Sequence, residues 1–133
     1  KNDSIMKKLL ILLFSTLLLS SPSVFAINVT LSCEAGKVSG NIETLKPRVY
    51  KNNIFPTIII NSQKKELSYF YLENEMKWDE NFEILNENDF QIIALNLDNN
   101  SADLFFYNKK EKTFSTAFVG ITGNVTYYGK CFN

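Results

Sequence analysis

The 133-residue chain contains no histidine, and this absence excludes several kinds of chemistry. Without imidazole there is no Ser–His or Cys–His nucleophile pair and no zinc site with a histidine ligand. The chain also lacks an excess of either charge, with 14 basic and 14 acidic side chains. Nucleic-acid-binding domains normally have a basic excess, so we expect no nucleic-acid partner. The remaining composition, 45% hydrophobic and 14% aromatic, is that of an ordinary globular domain.

Motifs for phosphate, redox or metal chemistry are absent as well. There is no glycine-rich phosphate loop, and the two cysteines are not spaced as Cys-x-x-Cys. Asp98, Asn100 and Asp103 are rich in oxygen, but they lack the spacing and the glycine of a calcium loop. We therefore predict no cofactor and no metal ligand, and no motif identifies a catalytic residue.

The N-terminal part of the chain is typical of a signal peptide. Met6 is followed by Lys7 and Lys8, then by an 11-residue apolar run at 9–19, and small residues lead to a cleavage site at Ala26. A spanning helix needs about 20 apolar residues, so this run is too short for a stable membrane anchor. We predict an N-terminal signal helix with a five-residue upstream extension that has no structural role.

Cleavage after Ala26 divides the chain into a leader, residues 1–26, and a single exported domain, residues 27–133. The exported domain keeps 11 basic and 13 acidic side chains, and nine of its carboxylates lie within 73–103 beside a single lysine. Such an asymmetry could attract a cationic partner, although solvated turns between strands explain it more simply. We expect a monomer located in the periplasm or, alternatively, secreted from the cell.

The two cysteines of the chain, Cys33 and Cys131, lie near the two ends of the exported domain. In an oxidising compartment such a pair usually forms a disulfide, so we predict this bond. It would close a loop of nearly the whole domain, which corresponds to about 4–5 kcal/mol of chain entropy for roughly 100 residues.

A series of short segments predicts strands, either because apolar and polar residues alternate with period 2 or because apolar β-branched and aromatic residues are concentrated there. The clearest of these segments are residues 29–33, 57–61, 66–72, 90–97, 102–108, 114–118 and 125–131. Weaker segments follow a predicted turn at Gly36 and lie on either side of a second predicted turn at 79–81. No sustained helical period follows Ala26, so the exported domain is predicted to be all-β.

Consecutive hairpins of this kind predict an antiparallel up-and-down meander of about eight strands. Such a sheet protects its edges best by closing, so we predict a small closed or partly open, lipocalin-like barrel. Cys33 and Cys131 lie on the apolar faces of the first and last strands, and a disulfide requires Cα atoms within about 7 Å. A β-sandwich with the disulfide between its two sheets is the alternative.

The last third of the chain contains an ordered series of hairpin segments. It consists of an apolar strand at 92–94, an aromatic strand at 104–109, a further segment at 114–115 and a final Gly-x-Cys at 129–131. The series resembles the closing hairpins of small exported proteobacterial β-proteins with one disulfide, most of them uncharacterised. Lys109 stands where that group usually has arginine. The resemblance implies a β-barrel-like fold in the periplasm, and it assigns no catalytic residue because most of the group has no known activity.

Aromatic residues are the main candidates for a ligand pocket, since 16 of the 18 in the chain lie in the exported domain. The pocket candidates are Tyr69, Tyr71, Trp78, Phe105 and Tyr107. The competing interpretation is core packing, because small barrels are usually filled by side chains. A cavity of about 300 Å³ or more would favour a ligand, and a filled barrel would favour docking on the surface.

The sequence therefore favours a non-enzymatic binding module of the cell envelope, for a small apolar ligand or for an envelope protein partner. An envelope hydrolase that uses carboxylates of the 73–103 segment is the first alternative. Three pairs in that segment have suitable residue types: Asp79/Glu80, Glu87/Asp89 and Asp98/Asp103. A structural or stress-related exported protein is the second alternative.

Overall fold

The computed structural model describes residues 2–19, 28–41, 47–121 and 123–133. In this part of the chain one helix, α1 (Asn2–Leu19), precedes nine strands. The strands are β1 (Val29–Asn41), β2 (Arg48–Val49), β3 (Thr57–Asn61), β4 (Glu66–Glu73), β5 (Met76–Glu87), β6 (Gln91–Asp98), β7 (Ser101–Asn108), β8 (Thr113–Gly120) and β9 (Gly123–Cys131). The predicted all-β fold with an N-terminal helix is confirmed.

Eight of the strands form one closed antiparallel barrel. They follow each other around the wall in the order β1, β3, β4, β5, β6, β7, β8 and β9, and β9 pairs with β1 to close the ring. The short β2 is outside this ring and pairs with Val38 and Ser39 of β1. The structure therefore contains the closed barrel and not the alternative β-sandwich.

The closing seam of the barrel lies along β1. Its first four residues pair with β3, and its remaining residues pair with β9. Cys33 and Cys131 are directly opposite each other in this seam, with Cα atoms 4.0 Å apart, and they form the predicted disulfide. Near the disulfide the two strands approach so closely that a Cβ at Gly129 would overlap the backbone of Glu34.

Two of the predicted turns are wrong. Gly36 lies inside β1, opposite Tyr128 of β9. Because glycine has no side chain, the ring of Tyr128 can lie over it. Residues 79–81 lie inside β5 and pair with β4. The polar residues Asp79 and Asn81 are exposed to solvent, and Glu80 between them is partly buried.

The packed half of the barrel interior is at the end that holds the turns at 62–65 and 109–112. Its side chains come from every strand of the ring and form one hydrophobic cluster. Ile58, Leu67, Ile92 and Phe105 are the largest fully buried apolar side chains of the strands. The hairpins that follow β4, β6 and β8 are at the opposite end of the barrel.

The helix α1 covers the apolar run of the predicted signal peptide. It begins at Asn2 and therefore includes most of the upstream extension, to which no structural role was assigned. The predicted cleavage site at Ala26 lies outside the described residues. None of the helices in the described ranges has the length and apolar character needed to cross a membrane.

Candidate functional site

A cavity of about 350 Å³ lies in the interior of the barrel, at the end opposite the packed half. We call it the mouth cavity. Its apolar lining consists mainly of aromatic side chains: Tyr69, Tyr71, Trp78, Phe118, Val125 and Tyr127. Shallower depressions also occur on the outer face, for example beside Tyr128 and Phe132. The mouth cavity differs from them because the inward side chains of the barrel form its walls.

The floor of the mouth cavity is formed by Tyr69. Alternation along β4 turns Tyr69 and Tyr71 inward together with Leu67. The ring of Tyr69 packs against the packed half, with its centroid 5.9 Å from that of Phe114 and 6.5 Å from that of Phe105. Tyr69 therefore separates the filled part of the barrel from the open part.

The structure places three of the five predicted pocket residues, Tyr69, Tyr71 and Trp78, at the mouth cavity. Phe105 and Tyr107 belong instead to the packed half, where they are 0% and 6% exposed. On β7 the inward residue at the level of the mouth cavity is Asp103, two positions before Phe105. The period-2 pattern that turns Phe105 inward also turns Asp103 inward, which is the signal that could have identified it.

The tyrosine hydroxyl groups of the mouth cavity are not all hydrogen-bonded. The hydroxyl oxygens of Tyr71 and Tyr127 are 2.9 Å apart and share a hydrogen bond. Tyr69 is only 4% exposed, and its hydroxyl has no partner among the described residues. Burial is the main cause that raises the pKa of all three hydroxyls above the ordinary value. They therefore remain neutral at physiological pH.

Two carboxyl groups meet inside the mouth cavity. Asp103 is 5% exposed, and its Oδ1 accepts a hydrogen bond of 2.7 Å from Thr116 Oγ1. Glu80 lies beside it, and Glu80 Oε2 is buried with no hydrogen-bond partner in the described part of the chain. Sequence reasoning missed this pair, because each of the two was grouped with a carboxylate closer in sequence.

Burial is the largest cause that raises the pKa of Glu80, to about 8, and the Asp103 carboxyl group adds to it. Two neighbouring carboxylates would repel each other, whereas a protonated Glu80 can donate a hydrogen bond to Asp103. Glu80 is therefore the member of the pair that holds a proton at neutral pH.

The barrel wall is incomplete on one side of the mouth cavity. The ladder between β5 and β6 covers only residues 83–87 of β5 and contains a bulge between Ile84 and Asn86. The half of β5 nearer the mouth, which carries Trp78 and Glu80, is therefore paired with β4 but not with β6. This local separation lies next to the carboxyl pair.

Among the described residues that line the mouth cavity, carboxyl groups outnumber amines. Glu73, Glu80 and Asp103 lie along its wall together with one amine, that of Lys37. The Lys37 Nζ lies over aromatic rings, 4.7 Å from the centroid of Tyr50 and 5.6 Å from that of Tyr127. The wall residue Asp79 is different, since its carboxylate is largely exposed and forms an ion pair with Lys77.

In the described ranges, no group of three or more Cys, Asp and Glu side chains is arranged to hold a metal ion. A scan of the chain against models of known protein families found no match, and a comparison with curated proteins found no relative. The mouth cavity combines aromatic faces, unpaired hydrogen-bonding groups and a carboxyl group that holds a proton. This combination is suited to holding a small molecule.

Proposed function

We propose that this chain is a non-enzymatic binding module that holds one small, largely apolar ligand in the mouth cavity. The observation that carries the proposal is the cavity itself, with its volume of about 350 Å³ and its aromatic walls. Small-molecule sites usually are clefts of about 300–1,000 Å³ with apolar walls and a few polar groups. The sequence is compatible with either a small apolar ligand or an envelope protein partner, and a pocket inside the barrel favours the small ligand.

Trp78 provides a direct readout, because it is the only tryptophan of the chain and it lines the mouth cavity. An apolar fluorescent probe, N-phenyl-1-naphthylamine, is titrated into the protein while both emissions are recorded. We expect the probe emission to rise and the Trp78 emission to fall together, with saturation at one probe per chain.

A matched pair of variants tests whether the probe enters the mouth cavity. Val125→Phe adds a ring inside the cavity and should weaken probe binding roughly tenfold. Val119→Phe adds the same ring on the outer face of β8, where Val119 is 56% exposed, and should leave binding unchanged. Failure of the wild-type chain to bind the probe, or equal binding by the Val125→Phe variant, would contradict the proposal.

Hydrolysis is a second candidate function, and the Glu80–Asp103 pair is the observation that favours it. A carboxyl group that holds a proton near neutral pH can act as a general acid, and both residues belong to the acidic 73–103 segment. Glu80→Gln and Asp103→Asn would then abolish turnover of an envelope substrate without lowering the melting temperature. Recovery of the bound compound unchanged from the wild-type protein would argue against hydrolysis.

We also propose that residues 1–26 direct export and that the barrel acts in the periplasm or outside the cell. The Cys33–Cys131 disulfide supports this location, because structural disulfides persist in oxidising compartments. Expression of the full chain in a bacterial host, followed by fractionation and N-terminal sequencing, should yield a product that begins at Ile27. An uncleaved product in the cytoplasmic fraction would contradict the proposal.

A further inference from the structure

We infer that the mouth cavity takes an apolar amine, whose ammonium group binds between Glu80, Asp103 and Tyr69 and whose apolar body lies against the aromatic rings. The inference rests on the proposed binding function and specifies the class of ligand. It follows from the unpaired groups of the cavity floor and from the distribution of charge around them.

The Tyr69 hydroxyl is the first unpaired group. The side chain is almost entirely buried, it lines the mouth cavity, and its hydroxyl has no hydrogen-bond partner in the described part of the chain. Buried polar groups are hydrogen-bonded in the large majority of native structures, so a buried hydroxyl without a partner needs an explanation. A ligand that hydrogen-bonds to the Tyr69 hydroxyl would explain why this group is buried.

The carboxyl pair supplies the other unpaired groups. Among the described residues, Glu80 Oε2 is buried without a hydrogen-bond partner, and the Asp103 carboxylate accepts a hydrogen bond from Thr116. An ionised carboxylate can accept about four hydrogen bonds, and a hydroxyl can accept as well as donate. The floor of the cavity therefore offers several acceptors close together. An ammonium group carries three donors and a positive charge, which matches this arrangement.

The aromatic lining supports the same class of ligand. Cations are attracted to the faces of tryptophan and tyrosine rings, and Tyr71, Trp78 and Tyr127 line the cavity next to the carboxyl pair. The protein already uses this attraction, since the Lys37 ammonium group lies over Tyr127. A ligand with a carboxylate would meet the carboxyl groups of Glu73 and Asp103 and would be repelled.

Binding of an ammonium group should be coupled to the proton on Glu80. Burial and Asp103 raise the pKa of Glu80 to about 8, and a nearby positive charge favours the ionised form. In the described part of the chain, the other titratable residues that line the cavity around Glu80 are Lys37 of β1, Tyr69, Tyr71 and Glu73 of β4, Asp79 of β5, Asp103 of β7 and Tyr127 of β9. We expect the amine to release a proton on binding and to bind more tightly at pH 8 than at pH 6.

The test compares three probes of similar size by isothermal titration calorimetry: phenethylamine, 2-phenylethanol and 3-phenylpropionate. Phenethylamine should bind at least roughly tenfold more tightly than the alcohol, and the carboxylate should not bind measurably. Asp103→Asn should weaken the amine about 10-fold to 100-fold and leave the alcohol nearly unchanged. Glu83→Gln, on the exposed face of the same strand as Glu80, is the control and should change neither affinity.

A second variant keeps the test valid if Asp103→Asn does not fold. Glu80→Gln preserves a hydrogen-bond donor toward Asp103 but cannot ionise, so it should weaken the amine and abolish the rise in affinity between pH 6 and pH 8. Melting curves of each variant confirm that it is folded. Equal affinity of the wild-type chain for amine at both pH values would overturn the coupling to Glu80.

The outcomes separate this inference from the proposed function. If the alcohol or the carboxylate binds as tightly as the amine, the amine inference is overturned and the binding function remains. If neither these probes nor N-phenyl-1-naphthylamine bind, the binding function fails as well. The last probe is Nα-acetyl-lysine amide, which represents a lysine side chain of a protein. If it binds as tightly as phenethylamine, the cavity does not recognise the apolar body of the ligand. The inference is then overturned, and a lysine side chain of a partner protein is the better candidate.

Discussion

At the scale of single residues, a carboxyl group buried beside another carboxyl group gains from keeping its proton. Glu80 is in this situation beside Asp103, and its pKa is raised from 4.5 to about 8 in the folded chain. Since the folded chain binds this proton more tightly than the unfolded chain, low pH favours folding. The contribution of the Glu80 proton to the free energy of unfolding is complete below about pH 4.5, and it is lost as the pH rises through about 8.

We therefore expect the wild-type chain to lose stability between pH 6 and pH 9, and the Glu80→Gln variant to lose much less. At pH 9 the variant should be more stable by about 1–2 kcal/mol, which is less than the full shift implies because Glu80 is partly exposed to solvent. Urea denaturation at several pH values measures the difference. The Glu83→Gln control should follow the wild type, and identical pH profiles for wild type and Glu80→Gln would contradict the assignment.

Residue type identified part of the site in advance, but not its position along the barrel axis. Tyr69, Tyr71 and Phe105 all turn inward, yet only the register of the strands shows that Phe105 lies deeper, in the packed half. Glu80 lies on β5 and Asp103 on β7, and these strands are separated in the barrel by β6. No local pattern in the sequence predicts that the two carboxyl groups meet.

At the scale of elements, the seam between β1 and β9 closes the barrel and carries the Cys33–Cys131 disulfide. The bond restricts the unfolded chain, because the two cysteines are 98 positions apart. The double variant Cys33→Ala/Cys131→Ala should lose about 2–5 kcal/mol of unfolding free energy in urea. The reduced wild-type protein should show a similar loss, and a variant as stable as the oxidised wild type would contradict this role.

The turn between β4 and β5 contains an unfavourable backbone conformation. Asn74 and Glu75 have φ values of 51° and 65°, as in the two-residue hairpin turns that favour Asn-Gly. Asparagine tolerates this region, whereas a glutamate there costs about 1–2 kcal/mol. Glu75→Gly should therefore stabilise the chain by about 1 kcal/mol in urea denaturation. Glu111→Gly, in a turn where this residue has no positive φ, should not stabilise it, and a destabilised Glu75→Gly variant would refute the explanation.

Elements with strong local signals could be predicted from the sequence. The strands at 57–61 and 66–73 follow from their runs of apolar β-branched and aromatic residues, and the asparagines at turns have a direct structural role. Asn88 and Asn108 each accept two hydrogen bonds from backbone N–H groups of the following turn. The continuity of β1 through Gly36 could not be predicted, because it depends on pairing with a strand that lies about 90 residues later.

At the scale of the whole molecule, the barrel is filled at one end and open at the other. Closure could be predicted from the hairpin series and the two cysteines, whereas the interior volume could not. That volume depends on a change in the inward side chains along the barrel axis. Apolar residues such as Ile58 and Leu67 fill the packed half, and polar side chains such as Tyr71, Glu80 and Asp103 surround the mouth cavity.

The most direct test of a ligand site in the mouth cavity is an NMR titration of the ¹⁵N-labelled protein with phenethylamine. We expect the largest amide shifts at Tyr71, Trp78, Asp103 and Tyr127, and we expect the Trp78 indole N–H to shift with them. Amides in the packed half, such as that of Ile92, should remain unchanged. Largest shifts in the packed half or on the outer face, or no shift at all, would contradict a ligand site in the mouth cavity.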